Sequence, residues 1–153
     1  GDLMVFLFFG VLSVMGSYFL FARALEHVLI FPACIVGLLS TGVLNLNNMR
    51  DLESDHQSHK ITVAVKFGLK RAKLYHAFLI ITALVLGIAF GLLYYKSFAS
   101  ILFFIAFIPI IKHLLFVFKT KEPIQLDSQL KVLALSTFAL SLLLGFGFIY
   151  NGM

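Results

Sequence analysis

The stretch Val28–Leu46, VLIFPACIVGLLSTGVLNL, runs without a charged residue directly into NNMRDLESD at Asn47–Asp55. A helix needs about 20 mostly apolar residues to cross the hydrocarbon core of a bilayer, and this stretch has that length. A strand is disfavoured, because the stretch does not alternate and an open sheet cannot satisfy its backbone in lipid. The sequence therefore predicts a transmembrane helix that ends in a polar, acidic cluster.

The rest of the chain is equally apolar. Of its 153 residues, 61% are hydrophobic and 12% are charged, whereas a soluble domain of this size needs far more polar surface. Five stretches are long enough to span a membrane: Leu3–Ala22, Val28–Leu46, Leu74–Tyr95, Phe98–Phe118 and Val132–Tyr150. The predicted fold class is all-α, a polytopic transmembrane helix bundle embedded in a lipid bilayer.

The basic residues are distributed unevenly between the two ends of these spans. With the chain starting on one side, nine fall in loops on that side: Arg50, Lys60, Lys66, Lys70, Arg71, Lys73, Lys119, Lys121 and Lys131. Only Arg23 and Lys96 fall on the other side, and Lys112 lies within the fourth span. The positive-inside rule then predicts that the acidic cluster faces the cytoplasm and that the C-terminus lies outside. The net charge of +5 thus reflects membrane topology, and no nucleic-acid partner is expected.

Small residues and one histidine within the spans are interpreted as packing elements. Gly10, Ser13, Gly16 and Ser17 form a small face on the first span, and Gly87 and Gly91 form one on the third. Such faces allow helices to approach closely in a membrane. His113, in the fourth span, is interpreted as a hydrogen-bonded bundle residue rather than as a proton carrier.

The acidic cluster carries the most specific chemistry of the chain. If the second helix continues through it, then Asn47, Asp51 and Asp55 lie at i, i+4 and i+8 on one face. Oxygen ligands with this carboxylate spacing suit Mg²⁺, which keeps several waters and typically bridges to substrate phosphates. The competing interpretation is an ordinary solvated helix end with mixed charges, and the residues alone leave both open.

Three basic residues near the carboxylates extend the first interpretation. Arg50, Lys60 and Lys66 are candidates to meet the remaining phosphate oxygens, Arg as a planar fork and Lys as a mobile point charge. Glu53 points off the Asn47–Asp51–Asp55 face in a helical arrangement and has the weaker role.

These residues resemble a known pattern. The segment NNMRDLESD, followed by KITVAVKFG at residues 60–68, resembles the second aspartate-rich motif of the UbiA-type membrane prenyltransferases. The form N-N-x-R-D, trailed by K-x-T-x-A-V-x-x-G, is most similar to the members that prenylate 1,4-dihydroxy-2-naphthoate in menaquinone synthesis. The opening GDLMVFLFFG is similar to a segment that these enzymes carry one helix upstream. Leu126-Asp127 and Gln129–Lys131 resemble their last cytoplasmic loop more loosely.

The resemblance implies a fold and a position within it. Such enzymes are bundles of nine helices with two aspartate-rich motifs, the second of which follows the sixth helix. Residues 1–153 would then be the C-terminal portion of one prenyltransferase domain, with helices five to nine, in a bacterial cytoplasmic membrane. The first motif would lie upstream of this chain, so the chain alone is not expected to turn over substrate.

The resemblance also implies roles for single residues. Asp51 and Asp55 would bind Mg²⁺ on a prenyl diphosphate, and Lys60 would help to neutralise the departing diphosphate. Asn47, Asn48 and Arg50 would orient the carboxylates or contact phosphate. Tyr18, in the first span, is a candidate to face the allylic carbocation, because aromatic faces stabilise cations. The implied partners are a prenyl diphosphate and an aromatic acceptor, with dihydroxynaphthoate favoured.

Three alternatives remain beside this interpretation. Within the superfamily, the acceptor is 4-hydroxybenzoate, homogentisate, chlorophyllide or haem. In a second class, the chain is a transporter or channel subunit with a cytoplasmic acidic gate, which requires polar residues along a pathway through several spans. The spans contain almost none apart from Lys112 and His113. In the third, the chain is a structural membrane anchor, which needs no face of the form N-x-x-x-D-x-x-x-D.

Overall fold

A computed structural model describes residues 1–151 of the chain, and within them every regular element is a helix. In chain order the elements are α1 (Asp2–Ala22), α2 (His27–Arg50), α3 (Leu52–Gln57), α4 (Val63–Leu93), α5 (Phe98–Lys119) and α6 (Pro123–Tyr150). Only α3 is short. The prediction of an all-α fold is therefore confirmed.

The five long helices are long and apolar enough to cross a membrane. Large apolar side chains face outward from them; Phe21 is 91% exposed, Leu92 78% and Phe98 72%. Contiguous apolar exposure of this extent is unfavourable in water, whereas hydrocarbon tails solvate it well. The chain is thus an integral membrane protein with the five predicted spans.

The helices differ from ideal α-helices at several points. Helix α1 contains a π-helical stretch over Phe6–Gly16, and α5 begins with a 3₁₀ segment over Phe98–Ala106. Helix α4 begins at Val63, eleven residues before the predicted span, and is broken at Gly68, where φ is 80° and ψ is 163°. Glycine adopts such a conformation without steric cost. Residues 63–67 therefore form a helical turn that the break at Gly68 separates from the rest of α4.

Helix α2 lies at the centre of the bundle and packs against α1, α4 and α6. Its Ile35, Leu39 and Leu46 side chains are completely buried, as are Ile80 of α4 and Leu133 of α6. Because lipid tails are as apolar as leucine, close packing rather than exclusion from water holds these helices together. Helix α2, whose last residue is Arg50, is consequently held by three neighbouring helices.

Two glycine contacts show how closely the helices approach. A Cβ atom added to Gly10 of α1 would lie 2.6 Å from the Gly37 Cα of α2 and 2.6 Å from the Ala33 carbonyl oxygen. A Cβ atom added to Gly87 would lie 2.6 Å from the Phe107 ring of α5. The predicted packing role of both glycines is confirmed. Gly16, predicted to share the face of Gly10, has no neighbouring atom within 4 Å, because the close crossing of α1 and α2 does not extend that far.

A polar network within the bundle connects α4, α5 and α6. His76 Nε2 and His113 Nε2 are 2.9 Å apart, and His113 Nδ1 is 3.1 Å from Gln129 Oε1. Both rings are almost completely buried, at 0% and 1% exposure. The hydrogen bonds satisfy polar atoms that would otherwise be costly at membrane depth. This geometry supports the interpretation of His113 as a bundle residue.

The Gly10 contact generates a test of the fold. We expect Gly10→Leu to lower the thermal unfolding temperature in detergent by roughly 5 °C, since overpacking at a close contact costs about 1–3 kcal/mol. Gly16→Leu is the matched control on the same helix and should shift the midpoint far less. Equal shifts in the two variants, measured by scanning fluorimetry or circular dichroism, would contradict the Gly10–Gly37 crossing.

Candidate active site

Helix α2 ends inside the acidic cluster. Arg50 is its last residue, Asp51 adopts a turn conformation with φ −89° and ψ 13°, and α3 begins at Leu52. The backbone N–H of Asp51 still donates to the Asn47 carbonyl at 2.9 Å, and that of Asp55 donates to the Asp51 carbonyl at 2.8 Å. The single continuous helix considered from the sequence is therefore interrupted at Asp51, while the one-turn spacing of Asn47, Asp51 and Asp55 is retained.

The Asp51 carboxylate is held by two neighbours. Arg50 Nε donates to Oδ1 at 2.7 Å and Arg50 Nη2 donates to Oδ2 at 2.9 Å, which forms a two-pronged ion pair. Asn47 Nδ2 also donates to Oδ2, at 3.2 Å, and Asn47 Oδ1 accepts from Arg50 Nη2 at 2.9 Å. Three predicted site residues thus form one closed hydrogen-bonded set at the end of α2.

This set controls the charge of Asp51. Hydrogen bonds from Arg50 lower the pKa of the Asp51 carboxyl below its ordinary value; the Coulombic attraction of Arg50 and Lys60 and the Asn47 hydrogen bond act in the same direction, against the opposing effect of partial burial. Asp51 is consequently an anion at neutral pH, as a metal or cationic ligand would require.

Arg50 also connects the cluster to the last helix. Its Nη1 donates to Asp127 Oδ1 at 2.8 Å, at the start of the α-helical part of α6. The Asp127 side chain is 66% exposed, so this ion pair is open to screening by salt. The contact was not predicted, because the two residues lie 77 positions apart and only the packing of α6 on α2 joins them.

Asp55 is neutralised by a different cation. Lys60 Nζ donates to Asp55 Oδ1 at 3.0 Å and to Oδ2 at 3.1 Å, and the Asp55 residue is 6% exposed. A Schellman turn at the end of α3 makes this pairing possible: His59 has φ 55°, and the Lys60 N–H donates to the Asp55 carbonyl at 2.9 Å. The turn brings the Lys60 backbone back over Asp55, so that the side chain reaches the carboxylate.

The remaining predicted residues lie in different surroundings. Asn48 is buried at the motif end of the bundle, which we define as the end where Arg50 and Asp51 lie. Lys66 is exposed, with its ammonium 5.4 Å from the Phe67 ring centroid. Glu53 is exposed beside the cluster. Tyr18 lies roughly 24 Å along α1 from Asp2, at the far end of the bundle, given a rise of 1.5 Å per residue.

Three cavities adjoin these residues. A cleft of about 1040 Å³ lies beside Asp51 and is also lined by Glu122 of the α5–α6 connection and by Pro123 at the start of α6. An apolar groove of about 430 Å³ runs between α1, α2 and α6, with Asn47 in its wall and Phe9 and Ala134 on either side. Farther along the same three helices, a cavity of about 480 Å³ is lined by residues that include Tyr18, Pro32 and Phe148. Tyr18 is thus separated from the carboxylates but borders the apolar surface that extends away from them.

The chain resembles known proteins over most of its length. The profile of the UbiA prenyltransferase family matches residues 1–143. The chain belongs to this family. It is 34% identical over 147 residues to a 1,4-dihydroxy-2-naphthoate octaprenyltransferase of Haemophilus influenzae, and 40% identical over 131 residues to the protein of the same name from Escherichia coli. A third relative of that name, from Mycobacterium leprae, is 41% identical over 83 residues, which are 54% of this chain and 28% of the relative. No solved structure matches the chain significantly.

The matches cover most of this chain but less than half of each relative. The aligned residues are 96% and 86% of this chain but only 48% and 42% of the H. influenzae and E. coli relatives. The chain therefore spans about half the length of the curated UbiA relatives that it matches. Membership of a prenyltransferase family argues against the transporter and membrane-anchor alternatives.

The oxygen atoms at the cluster are of the kind that coordinates Mg²⁺. Asp51 and Asp55 supply carboxylate oxygens and Asn47 supplies an amide oxygen, which is the ligand chemistry that Mg²⁺ prefers. Within residues 1–151, however, no group of three or more His, Cys, Asp and Glu side chains is arranged to hold a metal ion. Two carboxylates alone suit an ion that takes its other ligands from water and substrate phosphate.

The Arg50–Asp51 pair predicts a pH dependence. Because the folded-state pKa of Asp51 is lowered, its contribution to stability is present above the unfolded pKa of about 3.9 and is lost as the pH falls through the folded value. In Arg50→Met the carboxyl should titrate at a higher pH, and this acid-range loss should shrink. ¹³C NMR of aspartate carboxyls in detergent, with Asp51→Asn to assign the signal, measures the titration. An unchanged midpoint in Arg50→Met would contradict the role of Arg50.

Proposed function

We propose that the intact protein transfers a polyprenyl group from a prenyl diphosphate to 1,4-dihydroxy-2-naphthoate, with loss of CO₂, in menaquinone biosynthesis. The observation that carries the proposal is the pair of carboxylates Asp51 and Asp55, each balanced by a cation, at the end of a transmembrane helix beside an apolar groove. The names of three UbiA relatives support the choice of acceptor. Mg²⁺ is the proposed cofactor.

The reaction separates charge, and the proposed site offers charged groups at one end and an apolar surface beside them. When the C–O bond of an allylic diphosphate breaks, negative charge moves onto the diphosphate and positive charge remains on the allyl group. Magnesium bound at Asp51 and Asp55 would supply charge neutralisation to that diphosphate. Arg50 and Lys60 add donors at the same end of the bundle, because both already lie against the carboxylates. Preorganised cations of this kind stabilise charge where it develops.

The apolar surfaces have a separate role in the proposal. The groove between α1, α2 and α6 begins at Asn47 and continues toward the cavity at Tyr18. An isoprenoid chain in this groove would bury its methylene and methyl groups against residues such as Phe9 and Val43, while its diphosphate remained at Asn47 and Asp51. The groove would also exclude water from the allylic cation, which water would otherwise capture.

The motif and the ends of the chain have proposed locations. The excess of basic residues at the motif end of the bundle favours the cytoplasmic side for Asp51 and the outside for the C-terminus. Residues 1–153 are proposed to form the C-terminal portion of one prenyltransferase domain, as helices five to nine of nine. The second half of the metal site is then expected upstream, so we expect this chain alone to be inactive.

Substitution of the two carboxylates tests the proposed function. We expect Asp51→Asn and Asp55→Asn each to lower turnover of prenyl diphosphate and dihydroxynaphthoate in the full-length protein by roughly 10²-fold or more, because each loses an anionic ligand. The measurement is formation of the prenylated naphthalene product across a Mg²⁺ titration. Glu26→Gln, a charge-removing change at the far end, is the control. Turnover near that of the unsubstituted protein in both aspartate variants would contradict the proposal.

Lys60 provides a second test, because its removal should strengthen Mg²⁺ binding and weaken binding of prenyl diphosphate. Lys60→Met frees the Asp55 carboxylate, so we expect half-maximal activity at a lower Mg²⁺ concentration. The same change removes a donor to diphosphate, so the KM for prenyl diphosphate should rise roughly tenfold. Lys70→Met, an exposed lysine on α4, is the control for loss of positive charge. If the Mg²⁺ concentration at half-maximal activity and the KM for prenyl diphosphate both rose, or both fell, an exchange of Lys60 between Asp55 and diphosphate would be contradicted.

A further inference from the structure

Lys112 lies well inside a membrane-spanning helix and has no role in the proposed prenyl transfer. It precedes Lys119, the last residue of α5, by seven positions, or about 10 Å along the helix axis. Its side chain is exposed on the outside of the helix bundle. An ionisable side chain at membrane depth is costly and usually marks a functional site, so its partner has to be identified.

Lys112 has no partner of opposite charge within the described residues. None of the three ion pairs found among residues 1–151 includes it. The acidic residues of the chain all lie near the ends of the spans or between them: Asp2, Glu26, Asp51, Glu53, Asp55, Glu122 and Asp127. The anion that balances Lys112 therefore comes from outside the described chain.

Lys112 belongs to an exposed stripe along α5, since positions three, four and seven apart share one face of a helix. The members of this stripe are Ile108, Lys112, Leu115, Phe116 and Lys119. The opposite side of α5 is buried against the bundle and includes Ile110, His113 and Val117. The stripe therefore faces away from the other helices, with one cation at the motif end and a second cation two turns deeper.

The apolar members of the stripe favour lipid over another helix as the neighbour. Ile108 is 58% exposed, Leu115 56% and Phe116 39%. Helices that associate in a membrane use small residues for close approach, as Gly10 does where it meets Gly37. Large branched and aromatic side chains with two lysines among them instead suit acyl chains together with a phosphate group.

The helix end accounts for the charge of Lys119 but not for that of Lys112. Lys119 lies in the last turn of α5, where a cation interacts favourably with the helix dipole, and Lys112 lies beyond the range of that effect. The Cα–Cβ bond of Lys112 tilts toward the start of α5, at the far end of the bundle. Its ammonium thus approaches the headgroups only with the four-carbon stem extended toward Lys119. Lys73 of α4 reaches the same end of α5 but is engaged by the Thr120 carbonyl.

We propose that Lys112 and Lys119 bind the phosphate group of an anionic phospholipid whose acyl chains lie along Ile108 and Leu115. Basic side chains at the membrane surface attract headgroups of net negative charge, whereas a zwitterionic headgroup brings a cation of its own. The bound lipid holds the motif end of α5 at the membrane surface, next to the α5–α6 connection that borders the cleft beside Asp51. This site is independent of the proposed prenyl transfer.

The experiment compares two lipids with identical acyl chains on the delipidated full-length protein. Native mass spectrometry from detergent gives the Kd of the first bound molecule of dioleoylphosphatidylglycerol, which is anionic, and of dioleoylphosphatidylcholine, which is zwitterionic. We expect the unsubstituted protein to bind the anionic lipid at least tenfold more tightly. In Lys112→Gln and in Lys119→Gln this preference should fall roughly fivefold, which corresponds to the loss of one lysine–headgroup attraction. Lys112→Arg keeps the charge and should keep most of the preference.

Two exposed lysines outside the stripe provide matched controls. Lys131→Gln removes a charge at the same end of the bundle and Lys96→Gln removes one at the far end, and both variants should retain the preference. An equal loss in Lys131→Gln and Lys112→Gln would indicate a diffuse basic surface and overturn the site, as would equal Kd values for the two lipids in the unsubstituted protein. If Lys112→Gln instead lowered the unfolding temperature in lipid-free detergent and kept the lipid preference, the lysine would pair with a protein group, and the proposal would be wrong.

Discussion

The hydrocarbon core of a bilayer offers a polypeptide no hydrogen-bonding partner and solvates charge poorly, and this constraint determines where chemistry can occur in the protein. The 19 residues before Asn47 contain no charge, and their backbone is helical from Ile30 onward. The helix is interrupted only at Asp51, and the short polar helix α3 follows. A site that needs two carboxylates and a bend in the backbone must therefore lie at the edge of the membrane, where the end of α2 places it.

The same constraint explains why the cluster is electrostatically balanced within the chain. Asp51 is paired with Arg50, and the buried Asp55 is paired with Lys60. Leaving a buried carboxylate without its cation is costly, so the pairing with Lys60 stabilises the fold around Asp55. In the proposed function, binding of a metal and a diphosphate would exchange these partners, with the cations of the chain moving from carboxylate to phosphate. The total charge buried at the site changes little during such an exchange.

Local features were predictable from the sequence, and contacts between distant residues were not. The five spans follow from composition and length, and the alignment of Asn47, Asp51 and Asp55 along one helix face follows from their one-turn spacing. The pairing of Arg50 with Asp127 depends on how α6 packs against α2, for which the sequence carries no local signal. The small residues of α1 illustrate the limit: a Cβ atom added to Gly10 would clash with Gly37, whereas one added to Gly16 would meet no atom of the described residues within 4 Å. Two helices that cross meet over a short length only.

The position of Lys60 depends on a backbone feature that no side-chain pattern indicates. The Schellman turn requires a left-handed conformation at His59, where glycine is the usual residue because a Cβ atom costs about 1–2 kcal/mol there. The hydrogen bond from the Lys60 N–H to the Asp55 carbonyl partly offsets this cost. Because the turn fixes the Lys60 backbone above Asp55, only the side-chain torsions of the lysine must change for its ammonium to leave the carboxylate. Lys60 can thus leave Asp55 without rearrangement of α3.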